Sequence, residues 1–381
     1  MRILVIIYEY PPVGGGGGKA AEDVCRYLAR RGHQLRVITS HAAGLPRAEV
    51  QDGVEVLRIP CRRKVRYRAD LTSMALYVLR GIAGGRSLAR SWRPDVLHTH
   101  FAVPSGPLAL ALSRLTGAPY VLTVHLGDVP GGVPEKTARW FRWAKPLTPP
   151  LWRGAARVTA VSDYTRQLAL AHYPVDIRVI PNAIDTAALD PGKIHLHDPP
   201  GVMFAGRFQP QKNPLLIVRT LAQVADLPWH CTLLGDGPLR PQIETEITLL
   251  GLEGRIACPG WVRPEEVVAH FQRGDVLFMP SRAEGLPVVG LQALATGLAV
   301  VASRVGGFAD LVEEGENGYL LEPDDSAGFA RALRRLLDDP ARLLEFRRRS
   351  RELVQRFDIA EVGQAYEQVL AEAANKPLRS E

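Results

Sequence analysis

The sequence predicts an α/β protein of two successive units, each a mostly parallel sheet with helical crossovers, and three observations carry that prediction. Short apolar runs such as Arg2 to Ile7, Val96 to His100 and Val276 to Met279 read as buried strands, and they recur at helix-length intervals in both halves. Between the halves the pattern dissolves into Asp190-Pro191-Gly192 and Asp198-Pro199-Pro200-Gly201, which is linker chemistry. The 381 residues exceed one ordinary domain, and 46% hydrophobic with 23% charged residues suits a soluble globular chain with two cores.

In the first half, Arg2 to Ile7 is a strand, Gly18 to Arg31 a helix ending at Gly32, and Leu35 to Thr39 a second strand, which makes a βαβ opening. The run Gly14-Gly15-Gly16-Gly17-Gly18-Lys19 between them lets backbone approach a ligand just before a helix N-terminus. Gly15, Gly17 and Ala20 fit a loose dinucleotide fingerprint, but no acid near Thr39 stands ready for a ribose. Val96 to His100, Tyr120 to His125, Arg157 to Val161 and Ile177 to Ile180 are further strands, with helices such as Ser105 to Thr116 and Ser162 to Ala171. His125 stands at a strand end, followed by Leu126-Gly127-Asp128. Arg47 to Leu71 and Val129 to Pro150 read as loops without a motif.

In the second half, Val202 to Ala205, Trp229 to Leu234, Ile256 to Cys258, Val276 to Met279 and Val300 to Ser303 are strands. Gly206-Arg207 through Lys212 follows the first of them, and two cations in one loop before a helix suit a diphosphate. Gly235-Asp236-Gly237 ends the next strand in the same manner. From Asp325 to Ala373 the chain is helical, with Arg347-Arg348-Arg349 expected on a solvated face.

The stretch Pro280 to Gly307 reads as strand end, loop, helix and strand, with Pro287 in the first helical turn and Gly297 as the stop. Orphan N–H groups near Gly285, Leu286, Pro287 and Val288 leave room for an anion there. Glu284 lies in the loop at the strand's carboxyl edge, and Gln292 lies about 7.5 Å along the helix axis, partly buried. One ligand with a phosphate and flanking hydroxyls reaches all three places.

Cys25, Cys61, Cys231 and Cys258 have no metal-ligand or disulfide spacing, and no Asp-x-Asp metal clamp occurs, so neither a metal nor a cofactor is expected. The formal charge of +7 rests mainly on Arg, a compositional bias, and assigns no nucleic-acid partner. Met1 to Ile7 runs into Tyr8-Glu9-Tyr10-Pro11 without a cleavage site, and no apolar stretch spans a bilayer. A cytoplasmic protein is expected, free or at the inner face of a membrane. Arg62, Arg63, Lys64, Arg66 and Arg68 around Tyr67, with Trp140-Phe141-Arg142-Trp143, suggest an anionic membrane surface as a partner.

Together these segments resemble the retaining glycosyltransferases of family 4 over nearly the whole chain. The signature Glu-x7-Glu stands here as Glu284 and Gln292; the glycine loop, Gly206-Arg207 to Lys212, Gly235-Asp236-Gly237 and Pro181-Asn182-Ala183-Ile184-Asp185 match in order. The resemblance implies the GT-B fold, two Rossmann-like domains facing across a cleft, with residues 1–187 on the acceptor side, 188–357 on the donor side and a helix in 358–381 crossing back. It implies that Arg207 and Lys212 hold a diphosphate with Gly206 and Asp236 beside them, that Glu284 takes sugar hydroxyls, and that Gln292 meets the ribose. Gly285, Leu286, Pro287 and Val288 would hold phosphate and sugar, and Val262 would meet the base. His125, Asp128, Gly15, Gly16 and Gly17 would approach from the other domain. The implied reaction is retaining, metal-independent transfer of a sugar from a nucleoside diphosphate sugar, UDP or GDP first, to a glycan or lipid-linked acceptor. A nucleotide-sugar epimerase, a dinucleotide-dependent dehydrogenase and a non-catalytic sugar-nucleotide-binding subunit, the last kept open by Gln292, stand as alternatives.

Overall fold

In the computed structural model, which describes residues 1–63, 70–133 and 145–375, the chain forms two compact units. Met1–Ala183 together with the C-terminal segment from Ile359 makes the first, and Ile184–Asp358 makes the second. The first contains strands β1 (Arg2–Ile7), β2 (Gln34–Ala42), β3 (Ala48–Gln51), β4 (Val54–Arg63), β5 (Val96–His100), β6 (Tyr120–Val124), β7 (Arg157–Ala160) and β8 (Ile177–Val179). They line up as β3-β4-β2-β1-β5-β6-β7-β8, parallel throughout except for β3 at the edge. Strand order reverses between β1 and β5, where Ile7 pairs with His100. Open α/β sheets bind ligands beyond the carboxyl ends of the strands at such a reversal.

Alternation along the strands sorts side chains to two helix layers. Leu4, Ile6, Leu97 and Leu122 face a core with Tyr77 of helix Leu71–Trp92 and Leu108 of helix Ser105–Thr116. Ile3, Val5, Val96 and Val121 face helix Gly16–Arg30 and the last helix, Ile359–Ala374, whose Tyr366, Val369 and Leu370 are buried there. The C-terminal helix therefore returns to the first unit because its apolar face completes that unit's core.

Two expectations change here. The segment from Arg47 is not a loop but an antiparallel hairpin of β3 and β4, turned by Asp52-Gly53 with φ of 48° and 81°, the left-handed pair that a two-residue hairpin turn needs. The glycine-run helix begins at Gly16, two residues before the expected start, with Gly15 as its N-cap.

The second unit contains β9 (Gly201–Ala205), β10 (His230–Leu234), β11 (Ile256–Gly260), β12 (Val276–Met279), β13 (Ala299–Ser303) and β14 (Gly318–Leu321), in the order β11-β10-β9-β12-β13-β14 and all parallel. Its reversal falls between β9 and β12. Arg347 is not solvated: it is 3% exposed and donates to the Asp275 carboxylate and to the carbonyls of Gly297 and His195. Asp275, fully buried, also accepts from the N–H groups of Gly201 and His197. The linker before β9 is thus fastened to the last helices of its own unit. Among the described residues no helix is long and apolar enough to cross a membrane.

Candidate functional site

In the second unit the loops after β9 and β12 meet at the sheet reversal. The N–H of Arg282 donates to the Gln211 carbonyl at 2.8 Å, and Gln211 Nε2 donates to the Ala283 carbonyl at 2.8 Å. Lys212 Nζ donates to Glu284 Oε1 at 2.5 Å, with side chains 20% and 7% exposed. The predicted cation and the predicted carboxylate are therefore direct partners. Arg207 lies half-buried on the same loop.

Glycines set this geometry by close approach. A Cβ on Gly306, whose φ is 53°, would stand 1.6 Å from the Glu284 carbonyl oxygen, and the Gly307 N–H donates to the Gly285 carbonyl at 2.5 Å. The Glu284 loop rests on the Gly306-Gly307 backbone. In the same way a Cβ on Gly235 would meet the Gly206 carbonyl at 1.9 Å, and the Phe208 N–H donates to the Asp236 carbonyl at 2.9 Å. The Gly-Asp-Gly turn is the shelf under the Gly206 to Lys212 loop. The Asp236 carboxylate is turned to its own loop, where it accepts from the Gly237 N–H at 2.7 Å.

The helix Val288–Ala295 opens directly after this loop with Pro287 as N-cap, one residue outside the expected first turn. The Gly290 N–H donates to the Pro287 carbonyl at 2.9 Å, and the N–H groups of Val288 and Val289, which precede the helix's own hydrogen bonds, present partial positive charge after Gly285 and Leu286. Gln292 is half-buried on that helix, and Gly297 closes it with φ of 73°. Val262 is half-buried after β11, beside Trp261, which is 55% exposed. Ser281 and Ser303, fully buried past β12 and at the end of β13, have hydroxyls without a partner among the described residues. Neither they nor Gln211 were singled out by the sequence reading, although Ser281, Gly306 and Gly307 lie inside the Pro280 to Gly307 stretch.

In the first unit the glycine helix sits over the ends of β5 and β6. A Cβ on Gly17 would meet Phe101 Cζ at 2.8 Å and His125 Cε1 at 3.3 Å, so only glycine lets this helix start come so close. The Phe101 ring stacks on His125 with centroids 4.2 Å apart. Burial pushes the His125 imidazole down to about 4, and the ring is therefore neutral at ordinary pH. The Asp128 carboxylate accepts from the N–H groups of His125 at 2.8 Å and Val103 at 3.4 Å. Burial raises it to about 7 against those bonds. Asp128 thus fixes the His125 loop. Lys19 is held by Glu22 and Asp23 at 2.8 and 2.7 Å, on its own helix. Among the described residues no group of three or more His, Cys, Asp or Glu converges on a metal-sized space.

Of the basic cluster, Arg63 is buried, donating to Glu9 Oε1 at 2.8 Å, so it cannot face a membrane. Lys64, Arg66, Tyr67 and Arg68, and Trp140 to Trp143, lie outside the described residues.

Two such sheets with these loops define the GT-B glycosyltransferase fold. The architecture is similar to sucrose-phosphate synthase from Thermosynechococcus elongatus, with a TM-score of 0.84 at 22% identity, covering 97% of this chain and 100% of that one. It is also similar to Anabaena HepE solved with UDP-glucose, with a TM-score of 0.75 at 20% identity, covering 97% and 99%. Residues 14–188 match the family described as Glycosyltransferase Family 4, and residues 199–339 match Glycosyl transferases group 1. A 2-deoxystreptamine glucosyltransferase of Streptomyces kanamyceticus is 30% identical over 354 residues, covering 86% of this chain and 91% of that protein. A glycogen synthase of Mycobacterium tuberculosis is 28% identical, covering 97% and 94%. The chain belongs to the family 4, group 1 glycosyltransferases and is an enzyme of that class. The epimerase alternative finds no support in these matches.

Proposed function

We propose that the enzyme moves a sugar from a nucleoside diphosphate sugar, UDP or GDP first, to a hydroxyl of an acceptor, retaining anomeric configuration and using no metal. The observation that carries this reading is the Lys212–Glu284 pair, which joins the loop after β9, where Arg207 also lies, to the loop after β12, from which the Val288–Ala295 helix opens, at the sheet reversal. Breaking the bond between the anomeric carbon and the diphosphate oxygen puts negative charge on the leaving group. Lys212, Arg207 and the helix N-terminus supply fixed positive charge for it, with Gly206, Gly285, Leu286, Pro287 and Val288 as backbone walls. Glu284 accepts hydrogen bonds from sugar hydroxyls once Lys212 turns to the phosphate. Gln292 meets the ribose, and Val262 the base. The acceptor oxygen bonds to the anomeric carbon on the face the diphosphate leaves, and its proton passes to the leaving phosphate oxygen. No separate protein base is required.

Within the first unit Asp128 holds the loop of His125, next to Gly17 of the glycine run with Gly15 and Gly16, and within the second Asp236 holds its own turn. The acceptor is a glycan or a lipid-linked hydroxyl; the name of the 30% identical relative, a 2-deoxystreptamine glucosyltransferase, favours a cyclitol as a second reading. Attachment to an anionic membrane is part of this reading, and sedimentation with anionic but not neutral vesicles at low salt tests it. No sedimentation removes it. The function itself is tested by thermal stabilisation with a panel of nucleotides and nucleotide sugars: ligand at a hundred times its Kd adds about 2.7 kcal/mol. Absence of a shift with every one of them refutes the reading.

A further inference from the structure

The two helix layers of the first sheet differ in charge. On one, helix Gly16–Arg30 carries Glu22 and Asp23 and helix Ile359–Ala374 carries Glu361, Glu367 and Glu372, and cations pair with them: Lys19 with Glu22, Arg26 with Asp23, and Arg31 with Glu367. On the other, helices Leu71–Trp92, Ser105–Thr116 and Pro149–Arg153 contain no Asp or Glu, while Arg80, Arg86, Arg90, Arg114 and Arg153 are exposed on them. Asp163, on the helix beyond, is paired with Arg166 at 2.6 Å. Arg80 donates to the Pro60 carbonyl at 2.7 Å, and neither Arg86 nor Arg90 has a carboxylate partner among the described residues.

Helix Leu71–Trp92, of 22 residues, is the longest of the three. Its inner face is seated by Tyr77, fully buried, and by Gly81 and Gly85, which lie against Leu108 and Leu112. Its outer face is bare. Along it Leu71, Ala75, Leu79, Ala83, Arg86 and Arg90 follow at steps of three or four, so one exposed stripe is apolar in its first half and cationic in its second. Leu71 is 69% exposed and Leu79 66%. A nucleic acid or an acidic protein surface would satisfy the arginines and leave the leucines in water. An anionic bilayer matches both, with headgroup phosphates for the guanidinium groups and the acyl boundary for the leucines.

We propose that the outer face of helix Leu71–Trp92 docks the enzyme on an anionic lipid surface. The inference rests on the membrane attachment included in the proposed function and deepens it, by giving the contact to a helix face that is exposed, whereas Arg63 of the expected cluster is buried. Each arginine beside such a surface strengthens binding about fivefold, and a leucine that enters the acyl boundary about tenfold.

The test is sedimentation of the full chain at low salt with phosphatidylcholine vesicles, with and without phosphatidylglycerol. Four proteins are compared: the wild type, Leu79→Gln, the double variant Arg86→Gln with Arg90→Gln, and Arg219→Gln with Arg334→Gln. The last loses the same charge from the second unit, where these arginines pair with Glu246 and Asp226. The wild type and this control are expected to bind the anionic vesicles alone and equally well, the Arg86 and Arg90 variant about twentyfold more weakly, and Leu79→Gln about tenfold more weakly. An equal loss in the control, or no loss at Arg86 and Arg90, overturns the proposal and leaves the attachment to another surface. A loss at the arginines with none at Leu79 overturns it in favour of a nucleic acid or an acidic protein. Should a variant fail to fold, hydrogen exchange of the wild type decides: anionic vesicles must slow exchange across Leu71–Trp92, and slowing only elsewhere overturns the idea. A wild type that binds no vesicle removes the membrane attachment and the proposal together, while the transferase reading stands or falls separately on nucleotide stabilisation without vesicles.

Discussion

Lys212 and Glu284 are expected to be energetically coupled in the free enzyme, and a double-mutant cycle measures that coupling. The contact is a charge-assisted hydrogen bond of 2.5 Å between side chains 20% and 7% exposed. Bonds of this kind contribute about 1.5–3 kcal/mol, and removing one partner strands the other in a poorly solvated place. Lys212→Met leaves the Glu284 carboxylate, and Glu284→Gln leaves the ammonium. Each single variant should therefore lose more than half of what the double variant loses, with a coupling of about 1.5–3 kcal/mol. For a unit of this size that is roughly 3–12 °C in Tm, at about 2–4 °C per kcal/mol. Calorimetric melting of the four proteins without ligand is the assay. Single effects that add to the double effect within about 0.5 kcal/mol would refute the coupling. The same cycle has a functional face: both single variants should abolish transfer, because the diphosphate needs the cation and the sugar needs the carboxylate.

Three further outcomes follow from particular residues. Gly306→Ala puts a Cβ 1.6 Å from the Glu284 carbonyl oxygen, so it should cut transfer at least as far as Glu284→Gln while circular dichroism stays unchanged; near wild-type turnover would show that the loop does not rest there. In acid, His98 and His125 are pushed down to about 3 and about 4 by burial, so the unfolded chain binds more protons and stability falls as pH drops from about 6.5 toward 4. Asp128, raised to about 7, acts in the opposite direction between about 4 and 7 but is one group against three, because His100 is also held well below its ordinary value by burial. Urea midpoints from pH 8 to 4.5 should decline, and His98→Gln should flatten the slope; an unchanged slope would contradict it. Gln292→Glu should tighten UDP by about 1 kcal/mol and dUDP by less, since a carboxylate accepts from both ribose hydroxyls where an amide offers one oxygen. Equal calorimetric changes for the two nucleotides would show that Gln292 does not read the ribose.

Much of the fold was legible because buried parallel strands are short apolar runs, and Val96–His100 and Val276–Met279 begin and end where their sequences suggest. The hairpin of β3 and β4 was missed although Asp52-Gly53 is a strong turn signal, because the flanking residues are largely polar on an edge strand. Helix Leu71–Trp92 went unassigned, its periodicity broken by Gly81, Gly84 and Gly85; Gly81 and Gly85 lie against Leu108 and Leu112. Arg347 looked solvated because its partner, Asp275, is 72 residues away. The loops carrying Lys212 and Glu284 could be read locally, but not that these two side chains pair, nor that Gly235 and Gly306 serve as shelves for them.

The most direct measurement of the central claim is the anomeric course of the reaction, followed by proton NMR as the wild type slowly hydrolyses the nucleotide sugar that stabilises it most, with EDTA present. An α-linked donor should yield the α sugar first, mutarotating afterwards, at a rate that survives the chelator and disappears in Lys212→Met. Initial appearance of the β sugar would contradict retention. Loss of activity in EDTA that magnesium or manganese restores would contradict the role given to Lys212, Arg207 and the helix N-terminus in holding the leaving diphosphate.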